Sequence, residues 1–341
     1  MKHLLTSAAA IAIVASTGAA AFAADYTIGV SNTVQGNGWR EQMICAMRAQ
    51  AAVEEDVSGL IVAHRNTDSA GQLEDLNNLI EAGVDAIVLN PSNPEALNSA
   101  IDTAIEQGIV VVAVDAGVTA DGAYILSNNQ EEYAYLGARW LFERVGGSGD
   151  IVYMRGIAGV SADTDRDNGF QRALAEYPDI NVIHEVFTGW QQDQGKQQIF
   201  DFLATGIPFD GVWTSGIDNV IVDAFTESGA PLVPIVGADN AGFVQYLSEV
   251  DGLEGAAVTN PGSVGGAGIA LAVDILNGDA PDSNTVLVNP VLWENVTQEG
   301  QGIIAAAQNP NLDPEWPVSV TIPGWTDYSM EQIIACEGPG E

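Results

Sequence analysis

The chain has 341 residues and carries 46 acidic against 10 basic side chains, for a formal net charge of −36. So large a negative charge repels nucleic acid and anionic lipid surfaces, and it excludes both as partners. Hydrophobic residues make up 47% of the chain, which suits a well-buried globular protein rather than a disordered one.

The first 23 residues have the order of features that marks a secretory signal peptide. Lys2 gives a basic start, an apolar stretch follows, and Ala-Phe-Ala at 21–23 supplies the small-residue cleavage pattern. The apolar stretch is too short to span a bilayer. We therefore expect a chain that begins at residue 24 or 25, is located in the periplasm and is not embedded in the membrane.

Short β-rich runs alternate with helical patterns along the rest of the chain. Most of the runs are continuously apolar, which is typical of parallel strands covered on both faces. Gly83, Gly108 and Gly146 follow helical stretches, where helices commonly end. The predicted strands are 26–31, 60–64, 86–90, 110–115, 151–155, 181–187, 211–214, 233–237, 255–259 and 285–288. The predicted helices include 72–82, 94–107, 130–145, 167–177 and 264–276.

Repeated βα winding of this length predicts an α/β protein with two Rossmann-like, doubly wound parallel-sheet lobes joined by a multi-strand hinge. The N-terminal lobe is expected at 24–127 plus 261–288, and the C-terminal lobe at 128–260 plus 289–308. Residues 309–341, rich in Pro and Trp, are predicted to form an extended strap over the surface. The chain is expected to cross between the lobes near Ser127, Thr259 and Val288.

Polar side chains follow the predicted strands, at the edge where open α/β sheets bind ligands. The set is mostly uncharged, with carboxylates that accept hydrogen bonds from paired hydroxyls and Trp rings that offer a flat apolar face. This mixture favours a neutral, polyhydroxylated ligand. Arg155 is as readily a salt-bridge partner as a ligand residue. The strand-end residues are Asn32, Thr33, Asn66, Asn90, Asp115, Arg155, Trp190, Ser215, Asp239 and Asn240.

Four sequence segments together resemble the ribose- and galactose-type periplasmic binding proteins of sugar ABC importers. They are IGVSNTVQGNGWREQM at 28–43, VDAIVLNPSNPEALNSAIDTAIEQGIVVVAVDAGV at 84–118, MRGIAGVSADTDRDNGFQRAL at 154–174 and PIVGADNAGF at 234–243. The Trp39-Arg40 pair is closer to the galactofuranose-binding branch than to the ribose branch. The resemblance implies the periplasmic binding protein type I fold.

The resemblance also implies a ligand set on both lobes. Two positions depart from the family pattern: Gly216-Ile217 stands where an Asn is usual, so that Asp218 or Asn219 would act instead, and Thr259-Asn260 stands where a Gln is usual. These departures affect the identity of the sugar rather than the class. The implied ligand-binding residues are Thr33, Asn37, Trp39, Arg40, Asn90, Asp115, Arg166, Trp190, Asp218, Asp239 and Asn260.

Two cysteines, Cys45 and Cys336, are present, and an oxidising compartment allows them to pair. A disulfide would tether the C-terminal tail to the first helix, and a free pair is the alternative.

We expect neither an enzyme nor a bound cofactor or metal. The chain lacks a Gly-x-Ser-x-Gly elbow, and its three histidines are too few and scattered for a catalytic zinc site. A glycosidase pair formed by Asp115 and Asp239 is the enzyme alternative.

The expected protein is a monomeric solute-binding protein that captures a monosaccharide, either a pentose, a hexose or a related polyol. It would close about its hinge and deliver the sugar to the permease of an ABC transporter. A sensor that presents its liganded form to a chemoreceptor or sensor kinase is the alternative, because it would use the same site. A sugar-responsive repressor is excluded by the signal peptide and by the lack of a basic DNA-binding region.

Overall fold

The computed structural model describes residues 26–339, so the predicted signal peptide at 1–23 lies outside the described residues. The strands are β1 Tyr26–Asn32, β2 Val57–His64, β3 Ala86–Asn90, β4 Val110–Val114, β5 Tyr124–Asn128, β6 Ser148–Arg155, β7 Asp179–Phe187, β8 Gly211–Trp213, β9 Ile235–Ala238, β10 Gly255–Val258, β11 Thr285–Val288 and β12 Leu292–Glu294.

The helices alternate with these strands along the chain. They are α1 Gly38–Val53, α2 Ser69–Ala82, α3 Asn98–Glu106, α4 Gln130–Arg144, α5 Ser161–Glu176, α6 Gln192–Ala204, α7 Asp218–Ser228, α8 Ala241–Glu249, α9 Val264–Leu276, α10 Gln298–Ala307 and α11 Met330–Ala335. Across residues 26–339, no helix has the length and apolar character needed to cross a membrane.

Two six-stranded sheets organise the molecule. The first has the order β11-β5-β4-β3-β1-β2, and every neighbouring pair in it is parallel. The second has the order β12-β10-β9-β8-β6-β7, and only the edge strand β12 runs antiparallel. We call the first sheet with its helices the N-terminal lobe and the second with its helices the C-terminal lobe. The predicted fold of two doubly wound parallel-sheet lobes is confirmed.

Both faces of each sheet are covered, which explains the continuous apolar strands. In β3, Val88 packs into a cluster with α1 and α9, whereas Ile87 and Leu89 pack with α2 and α3 on the other face. In β6, Val152 and Tyr153 divide in the same way between two clusters. Alternate residues of a strand point to opposite faces, so a strand between two helical layers is apolar at every position.

The chain crosses between the lobes at three places next to the cleft. It leaves β5 of the first sheet for α4, returns from β10 of the second sheet to α9, and leaves β11 for β12. Helices end where glycines allow a left-handed backbone: Gly83 closes α2 with φ 73°, and Gly108 and Gly146 have φ of 85° and 84°. Glycine at these positions avoids the steric penalty of a Cβ.

The C-terminal tail packs over the surface and is held at its end by a disulfide between Cys45 of α1 and Cys336. The tail is not extended throughout, because it contains helix α11. The Ser329 hydroxyl accepts from the backbone N–H of Gln332, and the Gln332 side chain accepts from the backbone N–H of Ser329, a reciprocal cap that starts this helix.

Candidate functional site

A closed cleft lies between the lobes, beyond the carboxyl ends of the parallel strands of both sheets. The space among its lining atoms is about 440 Å³, which includes volume open to bulk solvent. Seven of the side chains implied by the sequence resemblance line it together. They are Asn37, Trp39, Arg40, Asp115, Arg166, Trp190 and Asn260.

Asp115 follows β4 and is held by donors from both lobes. Its Oδ2 accepts from Nδ2 of Asn90 at 3.2 Å, and its Oδ1 accepts from Nε2 of Gln130, at the start of α4, at 2.8 Å. The Ser127 hydroxyl donates to its backbone carbonyl at 2.6 Å. Asp115 has φ 65°, a left-handed conformation that Asp tolerates better than most residues. This backbone conformation and these donors fix the carboxylate at the cleft.

Arg166 faces Asp115 from α5 of the C-terminal lobe. Its Nε donates to Oε1 of Gln130 at 2.8 Å, and its Nη1 donates to the Ser215 hydroxyl at 3.1 Å. The guanidinium lies 4.6 Å from the ring centroid of Tyr133, a cation–π distance. Gln130 therefore connects the carboxylate of one lobe to the guanidinium of the other through a single amide.

Arg40 and Trp39 enter the cleft from the first turn of α1. This helix starts there because the side chain of Asn37 accepts from the backbone N–H of Arg40 at 3.1 Å. Arg40 Nη1 donates to Oδ1 of Asn32 at 2.8 Å. Burial lowers the pKa of Arg40, and the nearby Asp115 opposes this effect. Arg40 therefore has a desolvated cationic head at the cleft.

The amide of Asn260 holds the aromatic and cationic sides of the cleft together. Trp39 Nε1 donates to the backbone carbonyl of Asn260 at 2.7 Å. In the orientation that points its side-chain oxygen toward Trp39 and Arg166, Asn260 also accepts from Trp39 Nε1 and from Arg166 Nη2, each at 3.1 Å. Asn260 lies at one of the interlobe crossings, so it contacts side chains of both lobes.

Trp190 forms the opposing aromatic wall from the C-terminal lobe. It has φ 52°, which costs an aromatic residue on the order of 1–3 kcal/mol. A Cβ at Gly156 would lie 2.0 Å from its ring, so only glycine there lets the indole sit in this position. Its Nε1 is buried and has no hydrogen-bond partner among the residues that the structure describes. A strained backbone and an unpaired donor at a cavity are features of ligand sites.

Direct contacts hold the two lobes closed around the cavity. Asn37 Nδ2 donates to the backbone carbonyl of Trp190 at 2.9 Å. The backbone N–H of Gly117 donates to the Ser161 hydroxyl at 3.0 Å. A small apolar cluster joins Ala116 of the N-terminal lobe to Val160 and Ala162 of the C-terminal lobe, with Trp190 packed against it.

Four residues implied by the resemblance do not line the cavity. The backbone carbonyl of Thr33 accepts from the N–H of Thr67 at 3.1 Å, and Asn90 lies behind Asp115, to which it donates. Asp239 accepts from the backbone N–H of Asn260 at 2.8 Å and of Ser319 at 3.3 Å. Because Asp239 does not line the cavity, the glycosidase pair of Asp115 and Asp239 is not assembled there.

Asp218 lies behind two backbone segments that line the cleft and hydrogen-bonds to them. Its Oδ2 accepts from the backbone N–H groups of Gly216 and Ala238, at 3.1 and 2.9 Å. Burial raises the pKa of this carboxyl to about 7, because the charged form loses its hydration. Asp218 therefore positions the two backbone segments that line the cavity and does not itself line it.

Six residues of the site were not in the predicted ligand set. Ser215 and Asn240 were named among the strand-end residues, but the family resemblance did not place them in the ligand set. Gln130 gives a weaker signal as the first residue of α4, and Glu315 gives none, because it comes from the tail. The six are Gln130, Ser215, Gly216, Ala238, Asn240 and Glu315.

Arg155, for which the sequence left two roles open, forms an ion-pair cluster outside the cavity. It contacts the carboxylates of Asp163, Asp167 and Glu185 at 2.8, 3.2 and 2.9 Å. Within residues 26–339, no cluster of three or more His, Cys, Asp and Glu side chains is arranged to hold a metal ion.

The sequence is similar to that of known binding proteins. The model of the periplasmic binding protein domain family matches residues 28–280. The xylitol-binding protein of Mycolicibacterium smegmatis is 29% identical over 238 residues, which cover 67% of this chain and 67% of that protein. The ribose import binding protein RbsB of Salmonella typhimurium is 24% identical over 289 residues, covering 82% and 94%.

Solved structures share the fold. An ABC transporter solute binding protein from Thermobispora bispora superposes with a TM-score of 0.76 at 23% identity, covering 86% of this chain and 90% of that one. A galactofuranose binding protein gives a TM-score of 0.72 at 18% identity, covering 82% and 99%.

Proposed function

The chain belongs to the periplasmic binding protein domain family, and on this premise we propose that it captures an uncharged monosaccharide or related polyol in the interlobe cleft and delivers it to the permease of an ABC importer. The capturing motion is closure of the N-terminal lobe (24–127 and 261–288) on the C-terminal lobe (128–260 and 289–308). The protein acts as a monomer in the periplasm.

One observation carries the proposal: Asp115 and Arg166, from different lobes, face one cavity and are joined through Gln130. A ligand between them would contact a carboxylate on one side and a guanidinium on the other. Carboxylates accept from paired hydroxyls, and guanidinium groups donate to oxygen atoms. Trp39 and Trp190 add flat apolar surfaces suited to the C–H faces of a sugar.

The names of related proteins support the same ligand class. The relatives described above are named for xylitol and for ribose import, and a further one is named for D-apiose import. These compounds are small, neutral and rich in hydroxyl groups. The cavity is lined by the amide, carboxylate, guanidinium and hydroxyl groups that would hydrogen-bond to a ligand of this kind.

Closure explains how binding is signalled to a transporter. An open form would keep Asp115 and Arg166 apart, and only the closed form offers both sets of contacts, so the sugar shifts the population toward closure. A Kd near 1 µM corresponds to about 8 kcal/mol. A sugar that lacks one required hydroxyl leaves a buried partner unpaired, at a cost of roughly 1–3 kcal/mol. Recognition of the closed form by the permease requires no covalent chemistry.

A ligand screen tests this function. Thermal unfolding of the mature chain is measured in the presence of each of six compounds: D-ribose, L-arabinose, D-galactose, D-fructose, xylitol and myo-inositol. The compounds that raise the Tm are then titrated by calorimetry to obtain Kd. We expect at least one of them to bind with a Kd of about 10 µM or lower and to be recovered unchanged. Chemical turnover of the bound sugar, or the absence of binding across the screen, would refute the proposal.

A further inference from the structure

The strap, described over residues 309–339, runs beside the cleft and is hydrogen-bonded to the C-terminal lobe. The backbone carbonyl of Pro314 accepts from the N–H of Gly242 at 2.9 Å, and that of Trp316 accepts from the N–H of Ala241 at 2.8 Å. Both donors lie in the first turn of α8. Val318 continues this attachment, since its N–H donates to the backbone carbonyl of Asp239 at 2.8 Å.

The same strap is bonded to the N-terminal lobe within a few residues. Gln42 Nε2, on α1, donates to the backbone carbonyl of Pro317 at 2.7 Å. Farther along, the N–H of Asp327 donates to Oε1 of Gln50 at 3.0 Å. The disulfide to Cys45 then anchors the end of the strap on α1. Residues 314–317 therefore lie across the boundary between the lobes.

Two glycines, one on each lobe, let the strap approach closely. A Cβ at Gly38, the first residue of α1, would lie 2.2 Å from the Cβ of Glu315. A Cβ at Gly242 would lie 3.1 Å from the Cβ of Pro314. The Pro314-Glu315 pair therefore fits between the starts of α1 and α8. This packing fixes the position of the Glu315 side chain at the cleft.

Glu315 lines the cavity together with three other charged side chains: Arg40, Asp115 and Arg166. Its Oε2 accepts from the backbone N–H of Gly38 at 3.1 Å. With Glu315 included, two carboxylates balance two guanidinium groups. Without it, the charged side chains lining the cavity would sum to one excess positive charge.

The acceptor capacity of the two carboxylates differs. Both oxygens of Asp115 already accept hydrogen bonds from protein amides, of Asn90 and Gln130. Glu315 is only half-buried; its Oε2 accepts from the backbone N–H of Gly38, and the Gln192 side chain also hydrogen-bonds to the carboxylate. A carboxylate oxygen has more than one lone pair, so Glu315 can accept a further hydrogen bond from a ligand hydroxyl.

We propose that Glu315 is a ligand-contacting residue that accepts a hydroxyl hydrogen bond and makes the cleft select uncharged sugars and polyols over sugar acids. The inference rests on the proposed function and adds to it a residue outside the 28–280 region that the family model matches. The selection follows from charge: the carboxylate repels an anionic ligand, and its removal leaves two guanidinium groups facing one carboxylate. The strap thus becomes part of the binding site rather than a surface cover.

Two substitutions at this position separate the roles. Glu315→Gln removes the charge and keeps an amide oxygen that can accept from the N–H of Gly38. Glu315→Ala removes both. Glu331→Gln is the matched control, because it removes the same charge from an exposed position on the same strap. Kd values are measured by calorimetric titration with the six neutral compounds of the screen and with D-galacturonate and D-glucuronate.

We expect Glu315→Ala to weaken binding of the neutral compound by about tenfold or more, as for a lost hydrogen bond to a charged group. Glu315→Gln should lower the preference for the neutral compound over the sugar acids by about tenfold, with the Tm of the sugar-free protein unchanged. Glu331→Gln should change neither quantity.

The outcomes separate the two proposals. If the wild type binds a neutral sugar and both Glu315 variants keep the same affinity and the same preference, the role of Glu315 is refuted and the proposed function stands. A wild-type preference for a sugar acid would also overturn it. Failure of the wild type to bind any compound would refute the proposed function, and this inference with it.

Discussion

Substitution of Asp218 tests whether a buried, protonated carboxyl lies behind the backbone segments that line the cleft. The carboxylate is fully buried, its Oδ2 accepts two backbone hydrogen bonds, and its Oδ1 is buried with no partner among the described residues. Asp218→Asn retains an oxygen for the backbone donors of Gly216 and Ala238 and replaces the unpaired oxygen by an NH₂ group. The substitution therefore removes a buried charge with little change of shape.

The magnitude follows from the pKa of Asp218, which burial raises from 3.8 to about 7. Between pH 3.8 and about 7, the folded chain keeps a proton on Asp218 that the unfolded chain releases. The contribution of this carboxyl to the free energy of unfolding therefore falls as pH rises. Each pKa unit corresponds to about 1.4 kcal/mol. Above pH 7 the wild type has therefore lost on the order of 4 kcal/mol of unfolding free energy, whereas Asp218→Asn has no carboxyl to titrate and keeps its stability.

The assay is urea unfolding at several pH values from 4.5 to 8.5, followed by far-UV circular dichroism. The stability of Asp218→Asn relative to the wild type should increase across this range by about 3 kcal/mol, because roughly 1 kcal/mol of the loss already occurs below pH 4.5. Asp251→Asn, on an exposed turn, controls for the general loss of one negative charge. A difference that does not vary with pH would refute the account of a buried, protonated carboxyl. A tenfold loss of sugar affinity in Asp218→Asn would instead make Asp218 a ligand residue.

Three further predictions concern the cleft and the disulfide. Asp115→Asn, which tolerates the left-handed backbone, should lower sugar affinity by about tenfold or more in calorimetric titration while leaving the circular dichroism spectrum unchanged; an unchanged Kd would remove Asp115 from the site. Replacing Trp39 and Trp190 together by Phe should abolish the sugar-induced change in Trp fluorescence, and a full remaining signal would contradict their placement. Replacing Cys45 and Cys336 by Ser should lower the free energy of unfolding by about 2–5 kcal/mol, because the disulfide joins positions 291 residues apart; equal denaturation midpoints would exclude that contribution.

Local sequence patterns predicted the elements of the sheets well. The predicted runs 86–90 and 285–288 coincide with β3 and β11, and 264–276 coincides with α9. These segments combine apolar residues with clear boundary residues, so each carries its own structural signal. The family resemblance is confirmed by the periplasmic binding protein domain model, which matches residues 28–280.

The start of α5 was less predictable. The sequence predicts a helix from residue 167, whereas the helix begins at Ser161. Its first turns are polar because they serve tertiary contacts: Asp163 accepts from Arg155 and from the N–H of Gly156, and Arg166 reaches the cleft. Polar residues in a helix that faces a ligand site look like a loop when only the local pattern is considered.

The direction of individual carboxylates also required the structure. Asp115, Asp218 and Asp239 all follow or adjoin strands that end at the cleft, yet only Asp115 lines the cavity. Asp115 reaches it from a left-handed backbone, whereas Asp218 and Asp239 turn toward backbone N–H groups. Such choices depend on the geometry of each turn, which residue type alone does not determine.

By itself, the sequence determined the two-lobed architecture, the family and the edge of the sheets at which the site lies, because periodic burial and strand-end chemistry are local properties repeated along the chain. Only the tertiary structure decided which side chains share the cavity. Glu315 meets Gly38 across 277 residues, through a strap that packs on both lobes, and contacts between such distant segments are set by how the whole chain packs and not by any local pattern.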